Sequence, residues 1–119
     1  MHRLVLIVDD HEGFRAFARA LLESEGFEVV GEAADGASAL KAVEELGPDI
    51  VLLDVQLPDL DGFQVAERLA AEGHHPPDVV LVSTRAAASY RRRLAKTSAR
   101  GFISKGEFSG AVLATVLGD

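Results

Sequence analysis

The amino-acid sequence predicts an α/β fold, a three-layer sandwich in which helices cover both faces of one parallel sheet of five strands. Short apolar runs alternate with amphipathic segments along the 119 residues, and such alternation is typical of consecutive βα units. Three runs, at Leu4–Val8, Ile50–Leu53 and Val79–Val82, contain no polar residue, which indicates strands buried on both faces. The hydrophobic content of 48% suits one packed core, so we expect a single domain over residues 1–119.

The strands and the first helix follow from hydrophobic periodicity. The five predicted strands are Leu4–Val8, Glu28–Ala33, Ile50–Asp54, Val79–Val82 and Gly101–Ser104. The first helix is predicted from an apolar stripe at i, i+3, i+4, i+7 and i+8, and we expect it to end at Gly26. The stripe consists of Phe14, Phe17, Ala18, Leu21 and Leu22.

Helix-capping patterns define the second and third helices. Asp35 begins the second, and Gly47 with the following proline ends it. Asp61 and Gln64 have the spacing of a capping box for the third, which should stop at Gly73. The positions expected in the core are Leu40, Val43 and Leu46 of the second helix and Val65, Ala66, Leu69 and Ala70 of the third.

The last two helices have weaker signals. Residues 86–95 are predicted to be helical, although most of the stripe is alanine. Ser104 and Glu107 have capping-box spacing, which predicts that the final helix begins there. Its expected core positions are Phe108, Val112, Leu113 and Val116.

The order of the strands follows from their apolarity and from the handedness of crossovers. The three wholly apolar runs should occupy the centre, with Glu28–Ala33 and Gly101–Ser104 at the edges. Because βαβ crossovers are right-handed, the order that fits is 2-1-3-4-5, the flavodoxin-like order.

Composition excludes several classes of protein. The chain has no cysteine, which rules out disulfides and thiolate metal sites and is compatible with a reducing, cytoplasmic location. The apolar run at the N-terminus is too short for a signal peptide or a membrane span. A net charge of −7 makes direct binding to nucleic acid improbable.

Parallel strands would bring five polar side chains to one edge of the sheet. The strands end at Asp9 and Asp10, at Asp54, at Ser83 (with Thr84 beside it) and at Lys105, and no Cys or His is expected among them. Carboxylates about 5 Å apart repel by roughly 3 kcal/mol per pair at an effective dielectric constant near 20. Either one of them is protonated or a hard cation lies among them, and oxygen ligands suit Mg²⁺, with Mn²⁺ as an alternative.

A cation, a lysine and a hydroxyl around a carboxylate can hold a phosphoryl group. The cation and Lys105 would neutralise the phosphoryl oxygens, and Ser83 would donate a hydrogen bond to one of them. Asp54, already deprotonated at neutral pH, would be the nucleophile that forms an aspartyl phosphate.

These motifs resemble the receiver domain of two-component response regulators. The matching residues are the acid pair in LIVDD, the D-x-x-L-P-x-x-D-G run of residues 54–62, Ser83 after VVLV, and Lys105 after GFIS. The resemblance covers essentially the whole chain. It implies that Asp54 is the phosphoacceptor, that Asp10 binds the metal directly, and that Asp9 binds it mainly through water.

The resemblance also implies further roles. The backbone carbonyl of Gln56 would be the third protein ligand of the metal, and Ser83 and Phe102 would be the switch hydroxyl and the switch aromatic. The chain departs from the common pattern at Ser83, where threonine is more frequent, and at Thr84, where many members have a small residue. Gly106 follows the lysine where many members have a cis proline, so we expect a mobile loop and no cis peptide bond.

The resemblance implies a phosphorylation-controlled switch. A histidine kinase or a phosphotransfer protein would donate the phosphoryl group, and the face formed by the fourth helix, fifth strand and fifth helix would change. The receiver is expected to be non-enzymatic apart from catalysing its own phosphorylation and dephosphorylation. A stand-alone receiver is slightly favoured over part of a helix-turn-helix regulator. A homodimer through the first and fifth helices or through the fourth and fifth helices is compatible with the sequence, which does not choose between the two faces.

Two other functions fit less well. A Mg²⁺-dependent phosphohydrolase commonly has a second carboxylate two residues after the nucleophile, and this chain has Gln56 there. A flavodoxin-like cofactor binder would have a Ser/Thr/Gly phosphate loop after the first strand, where this chain has acids.

Simpler structural roles are expected for several polar and aromatic residues. Asp59 and Asp61 should be turn and cap residues, and His74-His75 should lie in a solvated loop. Residues 91–93, three arginines, should form a solvated helix face rather than a docking patch. Tyr90 and Phe102 are also compatible with ordinary core aromatics.

Overall fold

The structure, a computed structural model, describes residues 3–72 and 75–118. The strands are β1 (Leu4–Val8), β2 (Glu28–Ala33), β3 (Ile50–Asp54), β4 (Asp78–Ser83) and β5 (Gly101–Ser104). The α-helices are α1 (Glu12–Ser24), α2 (Gly36–Leu46), α3 (Gly62–Ala71), α4 (Arg91–Lys96) and α5 (Gly110–Leu117). Two 3₁₀ turns, Ala87–Tyr90 and Lys105–Glu107, precede α4 and α5.

The five strands form one parallel sheet in the order β2-β1-β3-β4-β5, as predicted. The central strands β1, β3 and β4 are almost wholly buried, since their apolar residues face helices on both sides of the sheet. This order brings the carboxyl ends of β1, β3, β4 and β5 to one edge.

Alternate residues of each strand supply two separate hydrophobic cores. Val5 and Ile7 of β1 pack on one face, with α1 and α5. Leu6 and Val8 pack on the other, with α2, α3 and Leu94 of α4. Side chains of successive strand residues point to opposite faces, so an uninterrupted apolar strand supplies both layers at once.

Two of the three predicted helix caps are confirmed. The Asp35 side chain accepts a hydrogen bond from Ser38 N at 2.7 Å. Asp61 and Gln64 form the complete capping box. None of the described helices is long and apolar enough to span a membrane.

The predicted start of the last helix was wrong. Ser104 makes no capping hydrogen bond, and Lys105–Glu107 forms only a single 3₁₀ turn. The chain is extended again at Phe108, which is buried but lies outside the helix. The true cap is Ser109, whose hydroxyl accepts a hydrogen bond from Val112 N at 3.1 Å.

Several expected core positions are exposed. The exposed fractions are 50% for Phe17, 42% for Leu46 and 36% for Val112, and Ala70 is also exposed. Each lies at the margin of its helix's apolar stripe, where burial is incomplete. The segment predicted as one helix over residues 86–95 is instead a 3₁₀ turn followed by the short α4. The predicted stop of α3 at Gly73 falls outside the described residues.

Candidate functional site

The acidic edge of the sheet contains the predicted site residues. Asp9 is fully buried, Asp54 is 3% exposed and Ser83 is fully buried, whereas Asp10 is exposed. Lys105 lies directly after β5, and its side chain is only 10% exposed. Parallel pairing of the strands is therefore sufficient to gather these groups, as the sequence predicts.

Lys105 pairs with both buried carboxylates. Its Nζ lies 2.6 Å from Asp9 Oδ2 and 3.5 Å from Asp54 Oδ2. The same ammonium lies 4.7 Å from the centre of the Phe14 ring, a cation–π distance. Phe14 of α1 and the two carboxylates thus hold the lysine over the edge of the sheet.

One lysine does not fully compensate the negative charge. Burial raises the pKa of Asp54, the Asp9 charge raises it further, and Lys105 opposes the rise. Asp9 Oδ2 is close to the lysine but accepts no hydrogen bond of regular geometry from any described residue. A buried carboxylate oxygen in this condition is suited to bind a cation or a water held by one.

His11 joins the acidic cluster, so the prediction that no histidine would do so was wrong. Its Nδ1 lies 3.2 Å from Asp9 Oδ1 and 3.1 Å from Asp10 Oδ1. Its backbone N–H donates a hydrogen bond to Asp9 Oδ1 at 2.8 Å. One ligand atom from each of Asp9, Asp10, His11 and Asp54 lies within 4.8 Å of the others. The position of His11 in the sequence could have predicted this, because it directly follows the acid pair and is the N-cap residue of α1.

The loop between β3 and α3 holds Asp54 in place. Gln56 N donates to Asp54 Oδ1 at 3.3 Å, and Gln56 forms an isolated bridge with Asp61. Gly62 N donates to Val55 O at 2.7 Å. A Cβ atom on Gly62 would collide with the Asp54 carbonyl and lie 2.9 Å from Val55 Cα. The proposed role of the Gln56 carbonyl as a metal ligand stays a prediction.

The Ser83 hydroxyl has Tyr90 and Arg85 as its hydrogen-bond partners among the described residues, and not Asp54. Its Oγ lies 3.0 Å from the hydroxyl of Tyr90 and accepts a hydrogen bond from Arg85 N at 3.1 Å. Thr84, the alternative hydroxyl, is exposed. Ser83 is thus at the predicted edge, but its partner is a tyrosine that the sequence indicated only as a core aromatic.

Tyr90 is the centre of a row of aromatic rings. Its ring centroid lies 5.8 Å from that of Phe102 and 5.7 Å from that of Phe63. The Arg93 guanidinium lies 4.3 Å from the centre of the Phe63 ring and also pairs with Asp61. The row therefore connects β5 and the start of α4 with the loop that follows Asp54.

The remaining polar candidates have mainly structural roles. Asp59 accepts hydrogen bonds from Gly36 N at 2.7 Å and Ala37 N at 2.9 Å, which confirms a capping role, and these bonds lower its pKa. His75 is exposed and His74 lies outside the described residues. Of the three arginines at residues 91–93, the first two are exposed without a described ion pair and Arg93 is engaged.

Comparison with known proteins identifies the family of the chain. The family model described as "response regulator receiver domain" matches residues 5–117. The transcription regulator BvgA of Bordetella pertussis is 40% identical over 107 residues, which are 90% of this chain and 51% of BvgA. The DNA-binding transcriptional activator EvgA of Escherichia coli is 35% identical over 111 residues, or 93% of this chain and 54% of EvgA. The chain thus spans about half the length of these curated relatives.

Solved structures agree on the fold. The signal receiver domain of the response regulator NarL from Mycobacterium tuberculosis superposes with a TM-score of 0.84 and 36% identity, covering 99% of this chain and 98% of that one. The family match spans nearly every strand and helix that forms the acidic edge. The chain therefore belongs to the receiver domain family of two-component response regulators.

Proposed function

We propose that Asp54 accepts a phosphoryl group from a phosphohistidine of a sensor kinase or a phosphotransfer protein. The observation that supports this most is the position of Asp54, nearly buried at the tip of β3 between Asp9 and Lys105. A carboxylate whose charge is only partly compensated is reactive toward an electrophilic phosphorus atom and is shielded from bulk water.

The reaction is an in-line displacement. An Asp54 carboxylate oxygen forms a bond to phosphorus as the phosphorus–nitrogen bond of the phosphohistidine breaks, and the bonding electrons leave with the imidazole. The Lys105 ammonium, already 3.5 Å from Asp54 Oδ2, lies where it can pair with a phosphoryl oxygen. This step needs no general base, because Lys105 and a bound cation favour the ionised form of the attacking carboxylate.

The residues of the acidic cluster fit a divalent cation. Asp9, Asp10, Asp54 and the Gln56 carbonyl would hold Mg²⁺, or Mn²⁺ in its place, with oxygen ligands that suit both ions. When bound, the ion supplies positive charge that neutralises the phosphoryl oxygens in the transition state. Asp9 is compatible with a water-mediated role, since its Oδ2 lies 2.6 Å from Lys105 Nζ without a regular hydrogen bond.

Phosphorylation would shift the domain between two states. A phosphoryl group adds nearly two negative charges at Asp54, which attract Lys105 and the Ser83 hydroxyl. Phe102 packs on Tyr90, the partner of Ser83, so the face formed by α4, β5 and α5 is the one that would change. The extent of the shift depends on how much better one state binds the phosphoryl group.

The phosphorylated receiver would act by controlling another part of the signalling system. BvgA and EvgA are transcription regulators of which this chain matches about half, and this favours a DNA-binding output over a stand-alone receiver. The receiver itself would be cytoplasmic and act as a phosphoryl acceptor rather than a phosphohydrolase. A homodimer through α1 and α5 or through α4 and α5 stays a prediction.

The intact mass of the protein tests the proposal directly. Incubation with Mg²⁺ and acetyl phosphate should add the mass of one phosphoryl group, and chelation of Mg²⁺ should prevent this. Asp54→Ala should abolish the gain. Asp59→Asn is the matched control, because it changes an exposed carboxylate in the loop after β3 and should leave the gain intact. A gain that survives in Asp54→Ala, or none in the unchanged protein, would contradict the proposal.

A further inference from the structure

The partly buried contact between Ser83 and Tyr90 joins the phosphoryl site to the start of α4. The two hydroxyl oxygens are 3.0 Å apart, and Ser83 is fully buried. Tyr90 is the last residue of the 3₁₀ turn and directly precedes α4. We call this contact the hydroxyl pair.

We propose that Tyr90 is a positioning residue that holds the Ser83 hydroxyl away from Asp54 until phosphorylation, when the hydroxyl pair separates. This inference rests on the proposed phosphorylation of Asp54. It adds a specific hydrogen bond that opposes the switch and that must break before Ser83 can bind the phosphoryl group.

The hydrogen-bonding capacity of Ser83 supports this competition. A serine hydroxyl has one proton to donate, and its oxygen already accepts a hydrogen bond from Arg85 N at 3.1 Å. A phosphoryl oxygen can only accept, so Ser83 must turn its proton toward Asp54 to bind it. To keep its bond, the Tyr90 hydroxyl would have to act as donor and follow the serine oxygen.

Packing restricts the ability of Tyr90 to follow. Its ring lies between Phe63 of α3 and Phe102 of β5, with centroid distances of 5.7 and 5.8 Å. Phe63 is in turn covered by Arg93, which is anchored to Asp61. Movement of Tyr90 would therefore disturb contacts on α3, α4 and β5 together, so separation of the hydroxyl pair is expected instead.

Tyr90 can be observed directly, because it is the only tyrosine of the chain and there is no tryptophan. Protein labelled with ¹³C at the tyrosine ζ carbon gives one NMR resonance that is sensitive to hydrogen bonding of the phenol. Beryllofluoride with Mg²⁺ serves as the phosphoryl mimic. We expect the resonance to shift on binding, to lie near the shifted position already in Ser83→Ala, and to move little when that variant binds the mimic.

A second measurement uses affinity for the same mimic, determined by calorimetry. Tyr90→Phe keeps the ring between its two neighbours and removes only the hydroxyl. It should bind beryllofluoride about three- to tenfold more tightly, the range expected from one net hydrogen bond lost in the unbound state. Ser89→Ala removes an exposed hydroxyl from the same turn and should bind like the unchanged protein. In the Ser83→Ala background, Tyr90→Phe should have no further effect.

The outcomes separate this inference from the proposed function. If the unchanged protein binds the mimic while the Tyr90 resonance stays in place, Asp54 remains the acceptor and the inference is wrong. Equal effects of Tyr90→Phe with and without Ser83 would also overturn it, because they would show that the phenol acts independently of the serine. If the mimic does not bind at all, the proposed function and this inference fail together. The resonance measurement needs no folded Tyr90 variant.

Discussion

The loops after β3 and β5 both leave the sheet beside the acidic site, but they are built differently. After β3, the chain folds back on the residue that follows the strand: Gly62 N donates to Val55 O at 2.7 Å, and the complete capping box starts α3. After β5, the chain makes the 3₁₀ turn Lys105–Glu107, and only Ser109 caps α5. The first loop is therefore fixed by close backbone packing, and the second by the charge pairs of Lys105 and the burial of Phe108.

The two loops should differ most in how a glycine-to-alanine substitution changes the free energy of unfolding. Gly62→Ala would push a Cβ atom into the Asp54 carbonyl and within 3.0 Å of the Asp54 carbonyl carbon, so we expect a loss of about 3 kcal/mol in the free energy of unfolding. Gly106→Ala meets no atom within 4 Å and has no positive φ to preserve, so its effect should stay within about 0.5 kcal/mol.

Urea denaturation of the two variants measures both values. Gly62→Ala should also weaken phosphoryl uptake, because the collision is with Asp54, the proposed phosphoacceptor. Similar stabilities for the two alanine variants would show that the loop after β3 accommodates an added Cβ atom as easily as the loop after β5 does.

Removing the Lys105 charge should have the next largest effect. Lys105→Ala leaves the buried Asp9 and the nearly buried Asp54 without their shared counter-charge. We expect a loss of about 2 kcal/mol in the free energy of unfolding in the presence of a chelator, since a buried charged group is left without its partner. Lys96→Ala, which changes an exposed lysine of α4, is the control and should differ little from the unchanged protein. Added Mg²⁺ should restore part of the loss in Lys105→Ala, and a variant that stays as stable as its control would be evidence against the charge pairs.

The sequence predicted the fold and most of the site because long apolar strands leave few alternatives. A parallel sheet of order 2-1-3-4-5 brings together strand ends that are far apart in the chain. The strand order alone therefore predicts that Asp9, Asp54 and Lys105 lie close together. His11 could have been included by adjacency alone. Tyr90 could not, because its approach to Ser83 depends on the 3₁₀ turn before α4, and an alanine-rich stretch does not specify where such a turn ends.

The two serines near β5 show why a local pattern can mislead. Ser104 and Glu107 have the spacing of a capping box, and Ser109 follows closely with the same capping ability. The choice between them depends on Phe108, which must reach the core beside Phe14 at a centroid distance of 5.8 Å before the helix begins. Tertiary packing therefore selects the later cap.

Alanine substitutions at Ser104 and Ser109 test which of the two serines caps the last helix. Ser109→Ala should lower the free energy of unfolding by about 1 kcal/mol, because it removes the hydroxyl that accepts from Val112 N. Ser104→Ala removes only a long contact of 3.3 Å to the Arg85 carbonyl, so we expect less than about 0.5 kcal/mol. Thermal unfolding of both variants measures which substitution lowers the stability more. A larger loss for Ser104→Ala would restore the earlier helix start that the sequence suggested.

The smallest effect concerns the charge of Asp54 and depends on pH. Because burial and the Asp9 charge raise its pKa, the folded protein holds the Asp54 proton more tightly than the unfolded chain does. Ionisation of Asp54 therefore destabilises the fold, and this cost develops as pH rises from the ordinary carboxyl pKa of about 4 through the raised value. Without metal, Asp54→Asn should be more stable than the unchanged protein at neutral pH, and the advantage should disappear near pH 3, where both side chains are neutral.

Asp59 on the loop after β3 supplies a control of opposite sign. Backbone N–H groups of Gly36 and Ala37 lower its pKa, so its stabilising contribution is present above the ordinary carboxyl pKa and is lost as pH falls through the lowered value. Asp59→Asn should therefore be less stable than the unchanged protein at neutral pH. Thermal unfolding of the three proteins between pH 3 and pH 7 in a chelator gives the comparison. If Asp54→Asn lost stability at neutral pH as Asp59→Asn should, then Lys105 would compensate the Asp54 charge fully, and the acidic edge would have no electrostatic need of a cation.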